Sequence, residues 1–213
     1  MSEKTYNKDI SGLANINELY ESSPIKKWIK LIQINKTILF KEYNKKEHFI
    51  PIADIVLDNE LVTSGKKQGT KKRNTLISLA NFTDEINPKI EWIYMFVINN
   101  RIVKIGGTRD GIKNRFGSYC CGHHIEERGK SGKASETNKY IYNTLFFYLN
   151  CGCEIKIYGY KLPIEEITRN VFGRETQIRV QTYHAYESVL IDEFCKQTGF
   201  IPFLCNNSDP EYK

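Results

Sequence analysis

The side chains with the types and spacing to act on a phosphate are Tyr94, Lys104, Arg115 and Tyr119 and, far downstream, Glu187. A guanidinium offers a fork of donors that matches non-bridging phosphate oxygens and the charge of a transition state. A phenol positions a water or shares its proton. A lysine amine, charged at its ordinary pKa, accepts a proton from water once desolvation and nearby cations have lowered that value. A carboxylate holds a hard cation such as Mg²⁺, which stabilises the phosphate and its leaving oxygen. Each has a plainer role when taken alone: Tyr94 as a strand aromatic, Lys104 as an edge-strand charge, Arg115 as a surface helix residue. Taken together and in order, they point to phosphodiester chemistry.

These groups need elements to converge. The β-type runs 92–98 and 101–105 flank Asn99-Asn100, two residues that accept positive φ, which predicts a hairpin. Asp110 follows as the expected helix N-cap, and Arg115 and Tyr119 share a face at an i, i+4 spacing. A hairpin running into this helix brings Tyr94, Lys104, Arg115 and Tyr119 to one end of a compact unit. Residues 139–149 read as a further helix. Cys153–Tyr160 alternates like a strand, the third beside the hairpin. Over 182–198, Tyr183, Leu190, Ile191 and Phe194 share one helix face, with Glu187 projecting from its middle. A carboxylate there needs compensation, by a divalent cation or by a partner such as Arg115.

On these residues the chain resembles the GIY-YIG nuclease superfamily. Trp92-Ile93-Tyr94 stands for the first half-motif and Lys104-Ile105-Gly106 for the second, followed by Arg115, Tyr119 and Glu187. Trp92 replaces the first glycine and Lys104 the second motif tyrosine, a lysine version that looks like the restriction-endonuclease branch. The resemblance spans roughly 90–207 and rests on several ordered residues. It implies an α+β fold, with a three-stranded antiparallel sheet flanked by helices as catalytic domain over 90–213. A mostly helical extension over 1–89 would contact DNA, dimerise, or both. The implied activity is that of a type II restriction endonuclease, hydrolysing phosphodiester bonds of double-stranded DNA at a short specific site. One Mg²⁺ (or Mn²⁺) per active site would sit on Glu187, with Lys104 and Tyr94 activating water and Arg115 and Tyr119 on the phosphate. Palindromic sites match a two-fold axis, so a homodimer is expected, with a cognate DNA methyltransferase as functional partner. The family often carries an asparagine after the glutamate helix, and Asn206 or Asn207 fills that role. The runner-up is a homing or branch-specific repair nuclease of the same superfamily, and the third reading a non-catalytic nucleic-acid-binding protein.

The rest of the chain fits an anionic partner. The net charge is +6, and Ser64–Arg73 concentrates Lys66, Lys67, Lys71, Lys72 and Arg73 around two glycines with no acid. Such a loop adds salt-sensitive phosphate affinity without base readout. Ser23-Pro24 reads as a helix start, with Ile25, Trp28, Ile29 and Ile32 on one face. An apolar segment over 47–63 is interrupted by Pro51, and Asn87-Pro88 marks the expected domain boundary. Cys120, Cys121, His123, His124, Cys151 and Cys153 supply soft ligands, but adjacent ligands chelate one tetrahedral zinc poorly, so core thiols are expected. The polar N-terminus lacks an apolar core segment, and no apolar run is long enough to span a bilayer, so a cytoplasmic location is expected.

Overall fold

A run that is apolar at every position, like Trp92–Ile98, suits a strand covered on both faces. In the computed structural model, which describes residues 16–57, 76–86, 89–120 and 135–205, this run is β3 (Trp92–Ile98), buried throughout. It lies between β4 (Arg101–Thr108) and β5 (Ile155–Lys161). Asn99 and Asn100 close the β3–β4 hairpin at φ 42° and 65°, the conformation their type predicts. β5 alternates buried and half-buried positions as read from its sequence.

The fold is α+β, as expected, but the antiparallel sheet has five strands rather than three, in the order β2-β1-β5-β3-β4. β1 (Ile50–Leu57) and β2 (Ile77–Ala80) both come from the segment expected to be mostly helical. β1 pairs with β5, so one sheet runs across the expected boundary near Asn87-Pro88. Pro51 has no N–H to give, and the β1–β5 register shifts beside it, between Pro51 and Ala53. The described helical content before residue 89 is α1 (Ile16–Ser22) and short 3₁₀ turns. The helix expected from Ser23-Pro24 is only a 3₁₀ turn, Lys26–Trp28. Beyond it, the Lys30 N–H donates to Thr144 Oγ1 (3.0 Å) and the Ile32 N–H to the Tyr148 hydroxyl (2.7 Å). Tertiary acceptors thus take donors that a helix would have satisfied internally.

Two layers cover the sheet. Trp92, Tyr94 and Phe96 face α2 (Ile112–Cys120) and α3 (Glu136–Asn150), sharing a core with Phe116, Tyr119, Leu145 and Tyr148. Ile93, Met95 and Val97 face α4 (Tyr183–Thr198) through Leu190 and Phe194, with Tyr43 and Phe49 alongside. The free edge of β4 is partly dressed by loops: the Ile102 N–H donates to Ile38 O (3.0 Å), and Leu204 N donates to Val103 O (2.7 Å). Between β5 and α4 the chain makes a separate two-stranded sheet, β6 (Glu165–Val171) and β7 (Arg174–Val180), which the sequence reading did not anticipate.

Candidate active site

Tyr94 stands opposite Gly106 across the β3–β4 pair, and its ring crosses the glycine so closely that a Cβ there would lie 2.6 Å from the phenol oxygen. α2 supplies Arg115 and Tyr119 one turn apart, aimed at the same point. The hydroxyls of Tyr94 and Tyr119 share a short hydrogen bond, and Arg115 Nε donates to each at 3.1 Å. The guanidinium carbon lies 4.7 Å from the centre of the Tyr119 ring, adding a cation–π contact. Burial pushes the Tyr119 hydroxyl up to about 12, although Arg115 pulls the other way. Burial raises Tyr94 above its ordinary value as well, helped by Tyr119. Both phenols therefore keep their protons at neutral pH. For Arg115, burial opposes the charge, but the two tyrosine oxygens outweigh it and hold the guanidinium protonated.

Lys104 lies opposite Phe96, on the same sheet face as Tyr94, and is buried. Its Nζ donates to the Leu204 carbonyl at 3.4 Å. Next to it, Cys205 Sγ accepts from the Ile105 N–H (3.3 Å) and donates to the Ile105 carbonyl (2.9 Å), closing another stretch of the β4 edge. Burial raises this thiol's pKa, Lys104 lowers it and Glu187 raises it, so Cys205 feels both the amine and the carboxylate.

Glu187 reaches the site from the other face of the sheet. A Cβ on Gly107 would lie 3.0 Å from Glu187 Oε2 and 2.5 Å from Tyr183 Cδ2. The adjacent glycines thus do complementary work: Gly106 admits Tyr94 on one face, and Gly107 admits Tyr183 and Glu187 on the other. Leu190 and Phe194 are buried on the expected apolar face of α4, while Tyr183, Glu187 and Ile191 are half-buried. Glu91, which sequence reasoning missed, fixes the start of this helix. Its Oε2 accepts from the Thr182 N–H (2.9 Å), the Thr182 hydroxyl (3.1 Å) and the Tyr183 N–H (3.2 Å). A carboxylate at a helix N-terminus satisfies its orphan donors and complements its dipole. Its only signal in the sequence is an acid directly before a continuous apolar strand.

A cleft of about 380 Å³ opens where the two faces meet beyond β4, lined by Gly107, Arg109, Asp110, Asn114, Arg115 and Tyr183 among others. Of the tyrosine–arginine cluster, Arg115 lines this cleft, while the hydroxyls of Tyr94 and Tyr119 turn inward onto its Nε and both side chains are buried. Tyr119, expected on the phosphate, thus stands behind Arg115 rather than in the cleft wall. Asp110 also departs from its expected capping role: its Oδ2 accepts from Arg109 Nε at 3.4 Å, and the helix begins at Ile112.

The chain is similar to a restriction endonuclease. That structure, HPY188I in complex with product DNA, is 27% identical over 80% of this chain and 87% of its own, with a TM-score of 0.48. A mutant of bacteriophage T4 EndoII is 19% identical over 73% of this chain and 94% of its own, with a TM-score of 0.45. No family profile and no curated protein matches the sequence.

Lys66, Lys67, Lys71, Lys72, Arg73, Asn206 and Asn207 lie outside the described residues, as do Cys121, His123 and His124. Cys120, Cys151 and Cys153 are buried thiols. Burial pushes Cys151 up to about 11 and Cys153, assisted by Cys151, up to about 12, opposing the thiolate that zinc requires. Among the described residues no group of three or more His, Cys, Asp or Glu side chains is arranged to hold a metal. The Glu187 carboxylate beside Gly107 still fits one kind of ion: a hard cation that keeps most of its waters and is shared with a phosphate. Among the described residues, no helix is long and apolar enough to cross a membrane.

Proposed function

We propose that the protein is a metal-dependent type II restriction endonuclease that hydrolyses double-stranded DNA, with the scissile phosphate in the cleft beside Gly107. One observation carries this reading. Arg115, protonated and braced at Nε by two phenol hydroxyls, lines a cleft also lined by Gly107 and Tyr183, and Gly107 adjoins the Glu187 carboxylate. Bracing through Nε leaves the terminal guanidinium nitrogens to bind non-bridging phosphate oxygens and the charge that grows on them. Tyr94 and Tyr119 act through Arg115, fixing its orientation before substrate arrives.

By the family resemblance Lys104 is assigned the proton of the attacking water and Tyr94 its positioning, roles that require both side chains to leave the Leu204 carbonyl and Arg115 Nε contacts they hold here. Glu187 is assigned one Mg²⁺ or Mn²⁺. When bound, that ion supplies positive charge to the phosphate and the leaving oxygen. Arg109 adds a cation at the cleft mouth. The loop cations Lys66, Lys67, Lys71, Lys72 and Arg73, with Asn206, are assigned to the DNA, residues 1–89 to DNA or dimer contacts. A homodimer, a cognate methyltransferase and a cytoplasmic location complete the reading.

The test is incubation of the purified protein with long unmethylated DNA and Mg²⁺. Discrete, reproducible fragments support restriction. Preference for branched DNA moves the assignment to a repair nuclease, and no cleavage with any divalent metal overturns the enzyme reading. Glu187→Ala and Arg115→Ala are expected to abolish cutting while largely preserving DNA binding in a gel-shift assay.

A further inference from the structure

α4 carries Glu187, yet its own residues do not close its first turn. Thr182, directly before the helix, makes no side-chain bond to it. The Thr182 hydroxyl donates instead to Glu91 Oε2, as do the N–H groups of Thr182 and Tyr183. A helix more often takes such an acceptor from the side chain at its own N-cap. A local cap steadies the first turn but does not fix where the helix stands. Here the acceptor lies 91 residues upstream of Thr182, directly before β3, so the bonds that close the first turn also fasten it to the sheet.

Stability alone does not account for this arrangement. Glu91 is 4% exposed, and its second oxygen, Oε1, is buried with no hydrogen-bond partner among the described residues. A buried polar atom left without a partner costs stability. A serine or aspartate cap at position 182 would close the helix without that penalty. What the distant carboxylate adds is position. The backbone around it acts the same way. Ile90 O accepts from the Gly111 N–H (3.1 Å), and Gly111 O accepts from the Arg115 N–H (3.2 Å) in the first turn of α2. Glu91 O accepts from the Leu162 N–H just after β5 (3.0 Å). Two residues at the head of β3 thus tie down the start of α2, which carries Arg115, and the start of α4, which carries Glu187. From that start Tyr183 and Glu187, one turn apart, both come against Gly107.

We propose that Glu91 is a positioning residue of the candidate active site, whose reach from the head of β3 sets where Glu187 stands relative to Arg115. This rests on the nuclease reading, in which Arg115 holds the phosphate and Glu187 the metal ion. Glu91 touches neither and acts through the first turn of α4. A misplacement of about 1 Å caused far from the chemistry is enough to lower a rate by about 100-fold. Groups that orient a metal ligand from behind are worth about 10- to 100-fold in metal affinity or activity.

Three variants of the full chain separate reach from charge. Glu91→Gln keeps the length and an acceptor oxygen but removes the charge. Glu91→Asp keeps the charge and is one methylene shorter, and Glu91→Ala removes both. Mn²⁺ binding without DNA is followed by electron paramagnetic resonance, and kcat and KM by plasmid cleavage, with melting curves showing which variants are folded at the assay temperature. Glu91→Gln is expected to stay within about fivefold of wild type in kcat and in Mn²⁺ affinity, since its oxygen still reaches the same donors. Glu91→Asp and Glu91→Ala are expected to lose about 100-fold in kcat and about tenfold or more in Mn²⁺ affinity, with KM within about threefold of wild type. If Glu91→Ala does not fold, the contrast between Gln and Asp decides. The reverse order, with Asp active and Gln impaired, assigns Glu91 an electrostatic role and overturns the proposal, as do equal losses in all three. Variants that all match a wild type that binds Mn²⁺ and cuts overturn it too, and leave the nuclease reading standing. A wild type that neither binds Mn²⁺ nor cuts removes the nuclease reading and the proposed role of Glu91 with it.

Discussion

β3–β4 and β6–β7 are both antiparallel hairpins closed by two residues at positive φ: Asn99-Asn100 at 42° and 65°, Phe172-Gly173 at 50° and 83°. Their turns are alike and their surroundings are opposite. β3 is buried at all positions between two helical layers, whereas β6 and β7 are almost wholly exposed. The difference lies in the strands. β3 is apolar at every residue, so both of its faces demand cover. β6 and β7 place a charge or an amide at nearly every second position, so one face is content in water and the other is only modestly apolar. The turn makes a hairpin; the pattern of the strands decides whether it becomes scaffold or reaches outward.

The sharpest way to break this comparison is to add one methyl group to a glycine in each hairpin. In Gly106→Ala the new Cβ falls 2.6 Å from the Tyr94 oxygen, which Tyr119 and Arg115 hold in place. Overpacking of this kind costs about 1–3 kcal/mol. Because it displaces the phenol that orients Arg115, DNA cleavage should fall by about 100-fold, the scale of losing one preorganised donor. Gly173→Ala meets nothing within 4 Å, and its strain at φ 83° stays in the β6–β7 ribbon. Thermal unfolding followed by circular dichroism, with a plasmid cleavage assay, checks both. A Gly106→Ala protein that melts and cuts like wild type would show that the Tyr94–Arg115 contact does not organise the site.

The same contrast explains what was readable in the sequence. The β3–β4 hairpin, the Arg115–Tyr119 spacing and the face of α4 bearing Glu187 are local patterns of turn type and period, and each is present in the structure. β1 and β2 escaped because Pro51 sits inside the first and because their pairing with β5 is a contact between distant segments that periodicity cannot report. The helix expected after Ser23-Pro24 failed for the same kind of reason: Thr144 and Tyr148, far along the chain, claim its N–H groups. Glu91 and Cys205 matter through partners 91 and 100 residues away, so neither carries a local signal. Arg109 and Asn114 were overlooked because the cleft they line exists only once the two sheet faces converge. The β6–β7 ribbon, by contrast, carries apolar residues only at Ile167, Val171, Ile178 and Val180, too few for the alternation that marks a half-buried strand.

A smaller effect is expected from Tyr119→Phe, which removes one acceptor of Arg115 Nε and the shared tyrosine hydrogen bond. Cleavage should drop by about tenfold, less than for loss of Arg115 itself, since Tyr94 still braces the guanidinium. The substitution also has a signature in pH. Tyr119 titrates at about 12 in the fold against an ordinary 10, so the folded state binds more protons than the unfolded chain between these values. Its contribution to stability is complete below about pH 10 and is lost as pH rises toward 12. Cys151 and Cys153, also raised by burial, add the same sign from about pH 9 upward. Urea unfolding at pH 9 and pH 11 should therefore show a stability loss that is smaller in Tyr119→Phe than in wild type. An equal or larger loss would mean that this hydroxyl is not the buried group the site requires.

The smallest effect separates the two turns themselves. Asn tolerates left-handed φ, so Asn99 and Asn100 suit their turn, and Asn100→Ala should cost about 1 kcal/mol in a hairpin that belongs to the core. For a chain of this size that lowers the melting temperature by about 2–4 °C. Phe172 is a bulky side chain held at φ 50°, a conformation it adopts at a cost of about 1–2 kcal/mol. Phe172→Asn relieves that strain, but in a ribbon so exposed that it is expected to open separately from the cooperative core. The melting temperature should move by less than about 1 °C, while amide exchange across β6 and β7 slows, because the turn now favours the closed ribbon. A shift of several degrees would mean that the ribbon is coupled to the core after all, and the distinction between a buried hairpin that positions Arg115 and an exposed one outside the core would fail.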